Sequence, residues 1–151
     1  EIAQLWNVLK GDMSLVGPRP NVKDETNLYT DTEKGLFLIR PGITDFSSIV
    51  FSDEGDILKG KDNPDLVYNQ LIRPWKSRLG LIYIENQSLL LDIKMIFYTI
   101  VAFVSKQRAL NWVSSQLKLM NVDYKVINMS KREEELYPFP PPGMDKIITK
   151  R

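Results

Sequence analysis

The sequence predicts a single globular domain of the α+β class that is mostly helical and has only short strands. Three observations support this prediction. Apolar side chains recur at helical spacing along much of the chain. The extended apolar runs, in contrast, are only a few residues long. The 151 residues are enough for one sizeable core and too few for two independent domains.

The first predicted element is a helix that ends near Gly11. Its apolar residues recur at helical spacing: Ile2, Leu5, Trp6 and Leu9. Glu1 would lie at the N-terminus of this helix, where exposed amides and the helix dipole favour a carboxylate. A glutamate in the first turn is common at any helix start, so its position alone does not indicate chemistry. A short apolar segment, 14–16, follows the helix.

A polar surface helix is predicted next. Asn21 is its expected cap, and Gly35 is expected to end it after Lys34. Two short strands are then predicted at 36–39 and 46–51, where apolar residues form extended runs.

Further helices are predicted in the second half of the chain. Asn63 and Pro64 suit the cap and the first position of a helix that runs until Pro74. The remaining predicted elements are helices at 75–84, 89–104 and 111–120 and a strand at 122–127.

The helix predicted at 89–104 is the most hydrophobic stretch of the chain. Its apolar residues extend beyond the stripe that a surface helix needs. It is shorter than the roughly 20 apolar residues that a membrane span needs, and Asp92 and Lys94 interrupt it. Two interpretations remain open from the residues: a helix buried in the core, or a helix at a membrane interface.

The C-terminal segment, 128–151, is predicted to be a proline-rich strap or tail after a main domain at 1–127. The charged run 131–135 is most simply a solvated helical turn. The run 137–143 contains four prolines and is expected to be extended. It could bind in the groove of a partner, or pack along its own domain.

Composition restricts the chemistry. The net charge is only +1, which argues against a nucleic-acid partner. The chain has no cysteine and no histidine, so thiolate chemistry and the most common general base are excluded. Carboxylates, lysines, tyrosines and a hard metal bound by oxygen remain, and Mg²⁺ is the natural candidate.

Two arginines lie in rigid turns. Arg19 is flanked by prolines in Gly17-Pro18-Arg19-Pro20, and Arg40 begins the run Arg40-Pro41-Gly42-Ile43-Thr44. Because such turns lose little conformational entropy on binding, each arginine suits bidentate recognition of phosphate oxygens. The pair suggests a diphosphate ligand. The alternative is a structural arginine that bridges carboxylates of its loop.

The run 4–20, Gln-Leu-Trp-Asn-Val-Leu-Lys-Gly-Asp-Met-Ser-Leu-Val-Gly-Pro-Arg-Pro, resembles the bacterial sugar transferases. These are monotopic polyprenyl-phosphate phosphoglycosyl transferases. The arginine turn at 40–44, the stretch 68–76, and the runs 83–86 and 92–94 match the same family in order. The resemblance covers roughly residues 1–105, and an ordered set of glycines and prolines makes it specific.

The resemblance implies an enzyme that transfers a sugar 1-phosphate from a nucleoside-diphosphate sugar, expected to be a uridine-diphosphate sugar, to a polyprenyl phosphate. In the family, an aspartate attacks the donor and carries the sugar phosphate. Glu1 matches the glutamate beside that aspartate, which is associated with Mg²⁺. The aspartate would precede Glu1, so we expect the chain as given to be an inactive fragment.

The remaining candidate site residues are Thr44, Lys10 and Asp12. The resemblance places Thr44 in the nucleotide region, although it could simply end its turn. Lys10 and Asp12 could support a substrate or metal, although a cation in a last helical turn and an aspartate after glycine often have local roles. The family continues with glycine and an aromatic residue after Thr44. Here Asp45 and Phe46 follow, which departs from the family pattern in the region that the resemblance connects with nucleotide and sugar recognition.

The expected function is therefore the start of surface-glycan synthesis at the cytoplasmic face of the bacterial inner membrane. The resemblance favours membrane contact by coplanar amphipathic helices, including the one at 89–104. Two alternatives remain. One is a non-catalytic membrane-surface or assembly module. The other is a soluble nucleotide-binding regulatory domain, which requires 89–104 to be buried in protein.

Overall fold

The computed structural model describes residues 2–19 and 21–151 and shows a largely helical α+β domain with one small sheet. The predicted fold class is confirmed. The two strands are β1 (Ser14–Val16) and β2 (Gly42–Thr44). The helices are α1 (Ile2–Lys10), α2 (Lys23–Thr26), α3 (Phe46–Val50), α4 (Glu54–Leu58), α5 (Pro64–Val67), α6 (Arg73–Glu85), α7 (Leu89–Val104), α8 (Lys106–Leu119) and α9 (Tyr124–Ser130). A 3-10 helix covers Glu33–Leu38, and a π-helical turn at Tyr68–Ile72 joins α5 to α6.

The two strands are parallel, with Ser14 opposite Gly42 and Val16 opposite Thr44. The backbones are in unusually close contact where β1 ends. A Cβ atom on Gly42 would lie 2.1 Å from the Gly17 nitrogen, so only glycine fits at position 42. The Gly42 amide also donates to the Pro18 carbonyl at 3.0 Å. The turn that follows β1 is therefore fixed against the start of β2.

The core surrounds α6, which crosses the middle of the domain. Trp75, Leu79 and Tyr83 on this helix are completely buried. They belong to one apolar cluster that includes side chains from α3, α7, α8 and α9. Because α6 is packed on several sides, the helices around it determine where the loops beside it lie.

Three of the extended segments expected from the sequence are helical, and those predictions are wrong. The segment 46–51 forms α3, and the Asp45 side chain caps it by accepting from the Ser48 amide at 2.9 Å. The segment 36–39 lies mostly within the 3-10 helix, so Gly35 does not end a helix. The segment 122–127 lies largely in α9, which Asp123 caps. At 46–51 and 122–127 a polar cap and tertiary packing outweighed the β-propensity of a short apolar run, and at 36–39 packing against α6 did so.

Most of the longer helices begin and end near the predicted residues. The Asn63 side chain caps α5 by accepting from the Leu66 amide at 3.2 Å, as predicted. The helix at 89–104 has the predicted bounds, and Ser88 caps it. In contrast, α8 begins at Lys106 rather than Asn111 because Ser105 supplies a cap. Asn21 is not a cap, and the polar helix expected after it is only the short α2.

The segment after α9 is extended and lies along the domain. The Phe139 ring stacks on Trp75 at 4.4 Å between ring centroids, and its amide donates to the Gln70 carbonyl at 3.1 Å. Arg78 donates to the Pro140 carbonyl at 2.8 Å. The charged run 131–135 forms turns and not a helix. This segment is therefore seated on α6 and on the π-helical turn.

Helix α7 leaves most of its apolar side chains exposed. Only Leu91 and Met95 on this helix are buried. The exposed members are Leu89, Leu90, Ile93, Ile96, Phe97, Ile100, Phe103 and Val104. The alternative of a soluble nucleotide-binding regulatory domain requires these α7 side chains to be buried in protein, and in the described structure they are exposed. No helix among the described residues is both long and apolar enough to cross a membrane.

Candidate functional site

A polar cleft of about 550 Å³ opens beside the turn that follows β1. We call it the polar cleft. The turn, α3, α4 and the region from α5 to α6 supply its walls. Its charged and polar lining residues are Arg19, Asn21, Glu25, Ser47, Ser48, Ser52, Glu54, Asp65, Tyr68 and Lys76. The volume lies within the range of small-molecule sites, and the lining can make ionic and hydrogen-bonded contacts.

Arg19 lines the polar cleft and follows two residues, Gly17 and Pro18, whose backbones are hydrogen-bonded to β2. The Gly17 amide donates to the Thr44 carbonyl at 2.9 Å, and the Pro18 carbonyl accepts from the Gly42 amide. Pro18 also packs closely against Gly80 of α6. The Arg19 side chain itself is exposed, and no carboxylate of the described residues forms an ion pair with it. The turn therefore presents a guanidinium to solvent from a rigid backbone.

Lys76 supplies a second cation to the polar cleft from α6. Its ammonium group lies 2.8 Å from a carboxylate oxygen of Glu54. Lys76 also lies over the Tyr68 ring, 5.6 Å from the ring centroid. The cleft therefore has two cations. Arg19 forms no ion pair with a carboxylate of the described residues, whereas Lys76 is partly neutralised by Glu54.

Two tyrosines and an asparagine form a hydrogen-bonded group at the cleft. The Asn21 amide nitrogen lies 2.5 Å from the Tyr29 hydroxyl and 3.3 Å from the Tyr68 hydroxyl. Burial raises the pKa of Tyr29 to about 12, and nearby Tyr68 adds to this effect. Burial likewise raises the pKa of Tyr68, with a further contribution from Glu54. Both phenols therefore stay protonated at neutral pH and can donate hydrogen bonds.

Asp45 lies beneath the two serines that line the cleft. It is 1% exposed, and one carboxylate oxygen accepts from the hydroxyls of Ser47 at 2.7 Å and Ser48 at 2.9 Å. Burial raises the pKa of the Asp45 carboxyl, although these hydrogen bonds oppose the rise. Asp45 thus sets the orientation of both serine hydroxyls.

A buried ion pair supports the neighbouring wall. The Arg73 guanidinium donates to both carboxylate oxygens of Glu33, at 2.9 and 2.6 Å, and neither residue has appreciable exposure. Ser77 donates to Glu33 at 2.7 Å, and Arg73 also donates to the Asn69 side chain at 2.9 Å. This network joins the 3-10 helix to α6. It therefore holds in place the helix that carries Lys76.

Arg40 lines a different cavity, which we call the apolar groove. The groove has a volume of about 870 Å³ and runs between α1, β1 and α7. Most of its lining residues are apolar, and its polar members are Ser14, Arg40, Gln87 and Asp92. One guanidinium nitrogen of Arg40 donates to the Gly11 carbonyl at 3.1 Å. The structure thus assigns the two predicted phosphate-binding arginines to two separate cavities.

Three further predicted site residues, Thr44, Lys10 and Asp12, line neither cavity. Thr44 is buried, and its hydroxyl is hydrogen-bonded to the Thr99 hydroxyl at 2.8 Å. Lys10 and Asp12 form an exposed ion pair of 3.6 Å with each other. Such a pair contributes little to stability. The predicted roles of these three residues stay predictions.

The predicted metal ligand, Glu1, lies outside the described residues. Within residues 2–19 and 21–151, no group of three or more acidic side chains is placed to hold a metal ion. Mg²⁺ often binds through one or two carboxylates together with substrate phosphates.

Sequence reasoning identified Arg19 but missed most of the polar cleft. The sequence predicts that Asn21 caps a helix, and it places Lys76 only within the stretch 68–76 that resembles the family. In the sequence Asp45 is a departure from the family pattern, and only the structure shows its hydrogen bonds to Ser47 and Ser48. Arg73 also belongs to the stretch 68–76, and nothing in the sequence beside it indicates an ion pair. Its partner, Glu33, lies 40 residues earlier in the chain.

Comparison with known proteins gives consistent matches. The family model described as bacterial sugar transferase matches residues 1–106. The uncharacterized sugar transferase EpsL of Bacillus subtilis is 36% identical over 100 residues, which are 66% of this chain and 42% of EpsL. The undecaprenyl-phosphate galactose phosphotransferase of Salmonella typhimurium is 35% identical over 99 residues, which are 66% of this chain and 17% of that protein.

A third relative is the UDP-glucose:undecaprenyl-phosphate glucose-1-phosphate transferase of Klebsiella pneumoniae. It is 32% identical over 111 residues, which are 70% of this chain and 21% of that protein. The chain therefore spans less than half the length of each of these relatives. No solved structure matches the chain significantly.

Proposed function

Because this chain belongs to the bacterial sugar transferase family, we propose that it forms part of an enzyme that transfers a sugar 1-phosphate to a polyprenyl phosphate. The donor is a nucleoside-diphosphate sugar, and a uridine-diphosphate sugar fits the names of two relatives. The observation that carries the proposal is the presence of Arg19, on its rigid turn, in a polar cleft large enough for such a donor.

The polar cleft is the proposed donor site. Arg19 binds the diphosphate, because its guanidinium is exposed and can donate two parallel hydrogen bonds to phosphate oxygens. The protonated hydroxyl of Tyr68 and the serine hydroxyls bind the hydroxyl groups of the donor. Lys76 adds a second positive charge close to Glu54. Recognition by both charge and hydroxyl groups suits a ligand with a diphosphate and a sugar.

The proposed chemistry has two steps. In the first, an aspartate carboxylate attacks the phosphorus atom that bears the sugar, and the bond from that phosphorus to the nucleoside monophosphate breaks. In the second, a phosphate oxygen of the polyprenyl phosphate attacks the same phosphorus. The acyl phosphate bond then breaks, and the carboxylate is restored. The family pattern places this aspartate directly before Glu1.

In the proposed reaction, Glu1 and the diphosphate of the donor would together hold Mg²⁺. When bound, it would offset negative charge on the diphosphate. The described residues would bind the donor and keep Arg19 and Lys76 in position.

We further propose that the enzyme works on the cytoplasmic leaflet of the bacterial inner membrane. The exposed apolar side chains of α7, with those of α1, form the surface that would enter the interface. A membrane-bound acceptor requires such an arrangement. One relative is described as an exopolysaccharide production protein, which agrees with a role at the start of surface-glycan synthesis.

Mass spectrometry of the intact protein tests this function. A form that includes the residues encoded upstream of Glu1 is incubated with Mg²⁺ and a panel of uridine-diphosphate sugars, without lipid. We expect a mass gain equal to one sugar phosphate and release of uridine monophosphate. Changing the aspartate before Glu1 to asparagine is expected to abolish both results.

A pair of arginine variants connects the reaction to the polar cleft. Arg19→Gln removes a charged hydrogen-bond donor and is expected to slow adduct formation by about tenfold or more. Arg108→Gln, which changes an exposed arginine on α8, is the matched control. Equal rates for the two variants would remove Arg19 from the donor site. Absence of an adduct with every sugar, from folded protein, would contradict the proposed reaction.

The alternative is a non-catalytic membrane-surface or assembly module with the same fold. The residue encoded before Glu1 separates the two functions, because only aspartate supports the covalent step of the family. Any other residue there would favour the module.

A further inference from the structure

We propose that Glu25 is a specificity residue of the polar cleft, where its carboxylate accepts a hydrogen bond from a ring hydroxyl of the nucleotide sugar. This inference rests on the proposed function. It deepens that function by naming the side chain that distinguishes a ligand with sugar rings from a simple diphosphate. The starting observation is a carboxylate oxygen of Glu25 that is buried and has no hydrogen-bond partner among the described residues.

The Glu25 side chain is fixed at the wall of the cleft. It belongs to α2, lines the cleft and is 13% exposed. Arg151 donates a hydrogen bond to one of its carboxylate oxygens, Oε1. The other oxygen, Oε2, is the one without a partner. Because nearly all buried polar atoms have a partner, an open acceptor on a residue that lines a cavity indicates a ligand that donates a hydrogen bond.

The charges that line the cleft do not suit a ligand made of phosphate alone. The lining contains two cations, Arg19 and Lys76, and three acids, Glu25, Glu54 and Asp65. Lys76 is already paired with Glu54 at 2.8 Å. A phosphate is therefore attracted by Arg19 and repelled by Glu25. The ligand that fits carries an anionic group for Arg19 and hydrogen-bond donors for Glu25, as a nucleotide sugar does.

Tyr68 narrows the ligand group to a hydroxyl. Burial, followed by the charges of Glu54 and Glu25, raises the pKa of the Tyr68 phenol, so Glu25 is close enough to act on it. The Tyr68 hydroxyl accepts from the Asn21 amide at 3.3 Å, which leaves its own proton for a ligand. A ring hydroxyl can donate to Glu25 and accept from Tyr68, whereas an ionised phosphate oxygen can only accept. The two side chains together therefore match a sugar hydroxyl.

The residue that holds Glu25 lies outside the part of the chain that matches the family model. That model covers residues 1–106, and Arg151 is in the extended segment after α9. The same segment is tied to the domain by the Gln70 side-chain amide, which donates to the Ile148 carbonyl at 2.7 Å. The orientation of Glu25 therefore depends on a segment that the family match does not cover.

Calorimetry of the chain with uridine diphosphate, with the panel of uridine-diphosphate sugars and with pyrophosphate tests the inference. Glu25→Leu removes both acceptor oxygens at similar size, and it is expected to raise the Kd of at least one of these nucleotides by about tenfold or more. Pyrophosphate has no ring hydroxyl. It is expected to bind Glu25→Leu at least as tightly as the unchanged protein, because one acid has been removed from the cleft.

Asp24→Leu is the matched control. Asp24 is the neighbouring acid on α2, is exposed and does not line the cleft, so the same charge is removed without a contact to the ligand. It is expected to bind every ligand like the unchanged protein. Glu25→Gln is a second variant that keeps the size and one acceptor oxygen. It is expected to lose less nucleotide binding than Glu25→Leu, because a neutral acceptor forms the weaker hydrogen bond.

A further ligand separates the two possible sugar rings. The 2′,3′-dideoxy analogue of uridine diphosphate lacks both ribose hydroxyls. If Glu25 contacts the ribose, Glu25→Leu weakens binding of uridine diphosphate and leaves binding of the analogue unchanged. If Glu25 contacts the transferred sugar, only a uridine-diphosphate sugar is weakened. Thermal unfolding of each variant verifies the fold, and if Glu25→Leu does not fold, the same comparison is made with Glu25→Gln.

Three results would overturn the inference. One is nucleotide binding that does not change in the Glu25 variants. Another is an equal loss for nucleotides and pyrophosphate, because Glu25 would then only maintain the shape of the cleft. The third is an equal loss in Asp24→Leu, because the effect would then come from charge and not from a hydrogen bond.

The two proposals fail in different measurements. If the unchanged protein forms the sugar-phosphate adduct but nucleotide binding does not depend on Glu25, only this inference is overturned. If nucleotide binding depends on Glu25 but no sugar gives an adduct, the proposed reaction is contradicted and Glu25 remains a nucleotide-binding residue. Absence of nucleotide binding by the unchanged protein would overturn both the donor site and the role of Glu25.

Discussion

Glu33 and Arg73 form an ion pair that is almost completely closed to solvent, with exposures of 0% and 2%. Two hydrogen bonds connect the guanidinium to both carboxylate oxygens, and Ser77 and the Thr30 amide also donate to Glu33. All the oxygens of this buried acid are therefore satisfied. The pair joins the 3-10 helix to the central helix, and so it links the wall of the polar cleft to the core.

Removing the acid from this pair should be costly. Glu33→Gln leaves the Arg73 charge buried without its counterion, so we expect the free energy of unfolding to fall by about 3 to 5 kcal/mol. Urea denaturation measures the change. In the double variant Glu33→Leu with Arg73→Met, no charge is left buried, and we expect a smaller loss than for Glu33→Gln. A loss below about 1 kcal/mol for Glu33→Gln would contradict the assigned importance of the pair.

The contact between Gly17 and Gly42 leaves no space for a side chain. Gly42→Ala would place a Cβ atom 2.1 Å from the Gly17 nitrogen, and backbone atoms cannot move aside cheaply. We expect a loss of at least about 2 kcal/mol in the free energy of unfolding, or failure to fold. Gly55→Ala is the matched control, because its Cβ would meet no atom within 4 Å. Equal stability of the two variants would show that the arginine turns are not in close contact.

Asp45 should make stability depend on pH in a specific direction. Burial raises the pKa of Asp45 in the folded state. Its contribution to stability is therefore complete below the unfolded pKa of about 3.9, and it is lost as the pH rises through the folded pKa. Asp45→Asn can retain the helix cap but cannot ionise. We expect the stability of the unchanged protein, relative to Asp45→Asn, to decrease as the pH is raised from about 4 to 7.

Urea denaturation at several pH values measures this difference. The comparison with Asp45→Asn is needed because other acids also titrate in the range. Asp53, for example, has a lowered pKa caused by its hydrogen bonds to Arg132 and Lys106, which outweigh desolvation. Its contribution has the opposite sign and is lost as the pH falls. A constant difference between the two proteins would contradict the assignment for Asp45.

The exposed end of α7 should bind membranes. Phe103 is 87% exposed, and insertion of its ring into an interface would contribute about 1.5 to 3 kcal/mol. Phe103→Asp is therefore expected to weaken binding to vesicles of phosphatidylethanolamine and phosphatidylglycerol by about tenfold or more. Leu119→Asp is the control, because Leu119 is 76% exposed but lies on α8. Co-sedimentation measures both, and equal weakening would contradict a membrane surface formed by α7.

The sequence by itself determined the class of fold, the family, the long helix α7, the cap at Asn63 and the turn that carries Arg19. These features depend on local chemistry: periodic apolar residues, a side chain that caps its own helix, and prolines and glycines that restrict the backbone. The bounds of α7 and the cap at Asn63 could therefore be predicted from neighbouring residues alone.

Tertiary structure decided the rest. The segments 36–39, 46–51 and 122–127 looked like strands, but packing against the central helix and polar caps made most of them helical. The partner of Arg73 is 40 residues away, and the separation of Arg19 from Arg40 depends on a backbone contact between two distant glycines. Such features follow from long-range packing, and no local pattern reports which distant residues will share a cavity.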